Sequence, residues 1–102
     1  MENTMNFGEA ITALKKGEKV SRMGWNGKGM FLFMRYREKV RYNYFPEITN
    51  SYMKHVEELA EKNEGIVEYL PTICMKTADK KILNGWLASQ IDMLAEDWVI
   101  VE

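Results

Sequence analysis

The sequence predicts an α+β fold in which an N-terminal helix packs on a small antiparallel sheet and one further helix is inserted among the strands. Three observations lead there. A capped stretch of helical periodicity opens the chain, most later apolar segments are short and bounded by turn residues, and a second helical stripe interrupts them after Asn50. With 102 residues, 46% of them apolar and 12% aromatic, the chain is expected to form one domain over 1–102 that carries an inserted helical segment at about 46–65.

Each element follows from local chemistry. Asn6 with Glu9 three residues later is a capping-box pattern, and Phe7, Ala10, Ile11 and Leu14 then recur at helical spacing up to Lys15, Lys16 and Gly17, which predicts a helix over 7–16. An amphipathic helix needs an apolar surface to cover, and a sheet supplies it. Residues 18–23 alternate as a short strand, and the turn Trp25-Asn26-Gly27-Lys28-Gly29 sends the chain back as a hairpin. Residues 30–34 are apolar throughout, so the strand they form is expected to be covered on both faces, by the helix on one side and by a second subunit on the other. Val40, Tyr42 and Tyr44 alternate with Arg41, Asn43 and Phe45 and predict another strand before Pro46. From Asn50, the residues Tyr52, Met53, Val56 and Ala60 make one stripe while Lys54, Glu57, Glu58, Glu61 and Lys62 fill the opposite face, which predicts a helix over 50–63. Residues 66–69, 72–76 and 81–83 read as short strands, Ser89 and Asp92 cap a helical turn over 89–94, and 98–101 closes the chain as a strand.

Composition narrows the function. A net charge of −1 argues against a dedicated DNA or RNA binder. The charge is uneven, however: residues 1–41 carry nine Lys/Arg against four Asp/Glu, and residues 42–102 carry five against eleven. A basic first part suits an anionic ligand, and attraction between the halves or between subunits accounts for the same asymmetry. The single cysteine, Cys74, lies in the apolar run 71–75, so it fits a reducing compartment and reads as a buried, inert thiol. No stretch approaches the ~20 apolar residues of a membrane span. Met1-Glu2-Asn3-Thr4 does not open a signal peptide, and a cytoplasmic protein with no membrane partner is expected.

Few residues are equipped for catalysis. His55 is the only histidine, falls on the polar side of the second helix and has no cysteine at ligand spacing, so no metal is expected. Ser21, Ser51 and Ser89 lack a Gly-x-Ser-x-Gly turn, and one remote histidine does not make a triad. Residues 24–29 lack the Lys-Ser/Thr ending of a phosphate loop and the strand–helix context of a dinucleotide fingerprint, so no cofactor is expected. Asp92, Glu96 and Asp97 remain as acid–base candidates, and capping or turn roles explain them equally well.

The two tryptophan segments, 24–31 and 85–98, are better suited to binding. An indole plane stacks a base, Asn and Gln read its polar edge, Lys and free N–H groups meet phosphate, and Asp accepts from ribose hydroxyls. Filling the core is the commoner use of tryptophan, and the residues alone leave both uses open.

Four blocks carry a resemblance. Met5-Asn6-Phe7-Gly8-Glu9-Ala10, Gly24-Trp25-Asn26-Gly27-Lys28-Gly29-Met30-Phe31-Leu32, Met75-Lys76-Thr77-Ala78-Asp79 and residues 86–98 occur in order and together resemble the Thoeris anti-defence two family of phage proteins. Only the middle, about 36–70, looks individual. The resemblance implies a homotetramer that binds and hides a cyclic ADP-ribose isomer, of the glycocyclic ADP-ribose type, without degrading it; some members also hold cyclic dinucleotides at separate sites. It implies a place in the cytoplasm of the infected bacterial host. On this reading Trp25 and Trp86 stack on the ligand, Asn26, Ser89 and Gln90 read polar edges, Arg22 and Lys28 lie near phosphate, and Asp92 lies near ribose. Two other readings use the same chain: a small hydrolase of nucleotide signals working through Asp92 and Asp97, and a protein-binding inhibitor of a host factor that uses its apolar strands.

Overall fold

The computed structural model describes residues 3–25, 28–43 and 50–102. In order, the elements are helix α1 (Phe7–Lys15), strands β1 (Lys19–Arg22), β2 (Phe31–Arg35) and β3 (Glu38–Arg41), helix α2 (Ser51–Lys62), strands β4 (Ile66–Tyr69), β5 (Thr72–Lys76) and β6 (Ile82–Asn84), helix α3 (Gln90–Leu94) and strand β7 (Trp98–Val101). The expected α+β class, with an N-terminal helix and an inserted helix among antiparallel strands, is what the chain forms. The elements group into two compact units, one running to Arg35 and resuming over Thr72–Glu102, the other spanning Tyr36–Pro71.

The first unit is built on a five-stranded antiparallel sheet in the order β6-β5-β2-β1-β7. Its register places Val20 opposite Leu32 and Leu32 opposite Met75, so strand alternation sends all three to one face. Helix α1 lays Ala10, Ala13 and Leu14 on that face, and with Trp98 these residues form a buried core. Removing side chains such as Leu14, Leu32 and Val20 from water stabilises the fold by about 1.5–3 kcal/mol each. The helix begins where the sequence places it, because Asn6 Oδ1 accepts from Glu9 N at 2.8 Å while Glu9 Oε1 accepts from Asn6 N at 3.0 Å. It gives way at Gly17, whose φ of 90° lies in the left-handed region that follows many helices.

Phe31 and Phe33 alternate to the other face of the sheet, where they remain half-buried with ring centroids 6.0 Å apart. There Lys19 Nζ lies 5.1 Å from the Phe31 ring centroid, and a depression of about 360 Å³ is lined by Lys19, Phe31, Phe33, Lys76 and Ile82. Cys74 is buried, and its thiol donates to Asn84 Oδ1 at 3.3 Å.

The second unit pairs β3 with β4, from Glu38 opposite Tyr69 to Arg41 opposite Ile66, and packs α2 against β4. Asn50 caps α2 by accepting from Met53 N at 2.8 Å, and Ala60 and Val67 are buried. Strand β3 starts and ends earlier than its alternation predicts. Its extent is set by pairing with the four residues of β4, and Tyr42 N already donates to Gly65 O at 2.8 Å beyond the strand end. Tyr44 and Phe45 of that prediction lie outside the described residues. This unit therefore holds a two-stranded antiparallel sheet as well as the helix.

Candidate functional site

Strand pairing brings the polar and aromatic residues together. Register between β1 and β7 sets Arg22 opposite Trp98, on the same face of the sheet. Trp98 is fully buried and donates from Nε1 to Asp92 O at 3.0 Å. Trp25 and Trp86, each half-buried, meet Trp98 edge-on at centroid distances of 5.3 and 6.2 Å, and meet each other at 6.2 Å. Phe7 closes the group at 5.5 Å from Trp98. Tilted and T-shaped contacts place the positive ring edge on a negative face, the arrangement that aromatic quadrupoles favour. Core and pocket roles thus divide among the three indoles: Trp98 is core, while Trp25 and Trp86 pack against the core and keep part of their surface in solvent.

An ion-paired network holds this cluster. Ser89 starts α3 through a reciprocal cap, its Oγ accepting from Asp92 N at 3.1 Å while Asp92 Oδ2 accepts from Ser89 N at 3.3 Å. The cap turns Asp92 so that Oδ1 accepts from Arg22 Nη1 at 2.9 Å and from Trp25 Nε1 at 3.3 Å. Asp97 takes the other side of the same guanidinium: Oδ1 accepts from Arg22 Nε at 2.9 Å, and Oδ2 accepts from Gly24 N at 2.8 Å. These side chains are largely withdrawn from water, at 16% exposure for Arg22, 15% for Asp92 and 31% for Asp97.

Electrostatics follow from the contacts. Burial acts most strongly on Asp92 and raises its pKa, but the hydrogen bonds from Arg22, Ser89 and Trp25 together outweigh it and hold the carboxyl below its ordinary value. The Arg22 hydrogen bond, opposed by burial, lowers Asp97, and both carboxylates in turn raise the pKa of Arg22, Asp97 more than Asp92. All three groups are therefore ionised at neutral pH, and together they carry one net negative charge.

The structure gathers Arg22, Trp25, Trp86, Ser89 and Asp92 into one place. Lys28 is exposed on the turn before β2, Gln90 is exposed as the first residue of α3, and Asn26 lies outside the described residues. Two members of the cluster were not singled out for binding by the sequence. Asp97 reads there as an acid–base candidate, and Trp98 as the end of the second tryptophan segment, with core and stacking uses both open; the usable signal was the inward alternation of the closing strand, which begins at Trp98. His55 lies on α2 with its side chain 78% exposed, 3.9 Å from Glu58. Among the described residues there is no group of three or more His, Cys, Asp or Glu placed to hold a metal ion, and no helix is long and apolar enough to cross a membrane.

Fold and cluster define a small α+β protein whose polar groups converge on three indoles beside the β1–β2 turn. Residues 5–101 match the Tad2-like family model, described as the Thoeris anti-defense 2-like domain. The chain is also 40% identical over 101 residues to Thoeris anti-defense 2 of Bacillus phage SP01, an alignment covering 99% of each. It belongs to the Thoeris anti-defense 2-like family. The four-block resemblance is thereby borne out, and membership supports a phage anti-defence role for the chain.

Proposed function

We propose that the protein captures a cyclic nucleotide immune signal of the glycocyclic ADP-ribose type and holds it unchanged, so that the signal is lost by titration. The observation that carries this reading is the pair of half-buried indoles, Trp25 and Trp86, braced on Trp98 and bordered by Arg22, Asp92 and the cap of α3. A fixed aromatic plane stacks a base at little entropic cost, since neighbours already restrict its rotamer. Lys28 and Arg22 serve phosphate, Asn26, Ser89 and Gln90 serve polar edges, and Asp92 serves ribose. Arg22 and Asp92 enter these roles already fixed by each other.

Capture without chemistry is favoured by the carboxylates. Acid–base catalysis uses a pair whose pKa values are pushed apart, one group keeping a proton near neutrality. Asp92 and Asp97 are both pushed down, which leaves neither as a proton donor and speaks against the hydrolase reading. Sequestration requires only a dissociation constant below the signal concentration and enough protein to match it. It would take place in the cytoplasm of the infected host. A homotetramer is part of the proposal: the Phe31 and Phe33 face of the sheet, half-buried in one chain, is an apolar surface suited to a second copy. The net charge of −1 favours a small nucleotide over DNA or RNA.

Calorimetry of the purified protein with glycocyclic ADP-ribose, in the absence of any other protein, tests this directly. Saturable heat is expected. Trp25→Ala should weaken binding by ~1–3 kcal/mol, about fivefold to 150-fold, the usual size of a lost stacking contact. Absence of heat with the wild type at two well-separated temperatures would refute capture, whereas an unaltered affinity in Trp25→Ala would return Trp25 to the core. Light scattering at the same concentration should give four times the chain mass, and a monomer would remove the tetramer from the proposal.

A further inference from the structure

We infer that Asp97 is a positioning residue for ligand capture, gripping the end of β1 so that Arg22 and Asp92 hold the Trp25 indole in one plane. The inference rests on the capture reading above, but its geometry is independent of any ligand. Asp97 binds three consecutive residues just before Trp25. Its carboxylate accepts from Arg22 Nε at 2.9 Å and from Gly24 N at 2.8 Å, and its backbone oxygen accepts from Met23 N at 3.0 Å. The guanidinium is a rigid planar fork, so fixing Nε fixes the direction of Nη1 as well. That direction is toward Asp92 Oδ1, 2.9 Å away, and the same oxygen accepts from Trp25 Nε1 at 3.3 Å. Asp97 therefore reaches the indole through two intermediaries, each of which has lost its freedom to turn.

Gly24 supports this arrangement. A Cβ at that position would lie 3.0 Å from Asp97 Oδ2 and 3.4 Å from Arg22 Nη2, so the carboxylate approaches the backbone as closely as it does because no side chain intervenes. Both Asp97 oxygens are occupied by donors of β1 and the turn, which places its action on the position of other groups.

Asp97→Asn tests the inference, because the amide removes the charge and sets a donor against either Arg22 Nε or Gly24 N, both of which are donors. Two readouts separate positioning from general structural support. The first is the exciton couplet expected in circular dichroism from three edge-on indoles, which should shrink in Asp97→Asn while the variant still melts cooperatively. The second is a double-mutant cycle with Trp25→Phe, which keeps a ring but loses the bond to Asp92. In the wild-type background Asp97→Asn should weaken glycocyclic ADP-ribose binding about tenfold, within the range of couplings inside one network, and in the Trp25→Phe background by less than about twofold. An unchanged couplet, or an equal loss of affinity in both backgrounds, would overturn the inference. Should Asp97→Asn fail to fold, Gly24→Ala carries the same comparison, since it displaces the carboxylate without changing charge and should also reduce the couplet. If the wild type binds no ligand, the capture reading fails by itself and the couplet still decides whether Asp97 positions Trp25.

Discussion

Arg22 and Arg37 are both paired with carboxylates, and the two pairings occupy opposite ends of what an ion pair can do. Arg22 lies in the strand-built unit at 16% exposure, binds two carboxylates at 2.9 Å and is linked through them to a helix cap and an indole. Arg37 belongs to the unit that holds β3, β4 and α2, and meets Glu68 at 3.3 Å with exposures of 64% and 37%. Water screens the second pair and leaves both side chains mobile, so holding them together costs about as much entropy as the attraction returns. The first pair has given up most of its hydration, and its Coulomb energy is less screened. The residue types are alike; desolvation and shared hydrogen bonds make one of them architectural.

Removing the partners separately should show the largest difference. Arg22→Met keeps much of the side-chain volume and leaves Asp92 and Asp97 facing each other without a cation. It should cost about 2–4 kcal/mol in denaturant unfolding, somewhat under the ~3–5 kcal/mol of a fully buried pair because Asp97 retains some water. A cost below about 1 kcal/mol would mean that the network adds little to stability.

Acid should act next, and through the same groups. Asp92 and Asp97 have folded-state pKa values below their ordinary ones, so the unfolded chain takes up protons first. Their contribution is complete above the unfolded carboxylate value of about 3.9 and is lost as pH falls through the lowered folded values. The melting temperature should therefore be nearly level from about pH 5 to 8 and decline below about pH 4. That acid decline should weaken in Arg22→Met, where the strongest of the contacts that lower both carboxylates is gone. An equally steep decline in the variant would assign it to other carboxylates.

Glu68→Gln is expected to have the smallest effect, within ~1 kcal/mol in the same unfolding assay. A larger loss would show that the exposed pair is not a mere surface contact and would remove the contrast with Arg22.

Much of the fold was legible in the sequence because its signals are local. Asn6 with Glu9, and Asn50 before its stripe, mark helix starts that the backbone itself requires. Val20 falls in a short alternating stretch and Leu32 in a brief apolar run bounded by a glycine turn, both patterns that a strand dictates. The site was only partly legible because its chemistry is long-range. Arg22 meets Asp92 and Asp97 across 70 and 75 residues of sequence, and only the antiparallel pairing of β1 with β7 brings them within reach. Without that pairing Arg22 reads as an available cation and the two aspartates as available acids, whereas in the fold each is engaged by the others. The indoles show the same limit. Composition treats Trp25, Trp86 and Trp98 alike, and it is the register opposite Arg22 that buries Trp98 and leaves the other two at the surface. Strand β3 departed from its alternation because its partner β4, distant in sequence, sets its length.

The central claim is capture without conversion, and mass spectrometry of recovered ligand tests it most directly. Glycocyclic ADP-ribose incubated with increasing protein should disappear from solution in proportion to the protein, stop at a fixed ratio of ligand to chain, ignore added metal, and return unchanged when the protein is denatured by heat. Recovery of a linearised or dephosphorylated product in molar excess over protein, abolished by Asp92→Asn, would contradict the claim and establish turnover in its place.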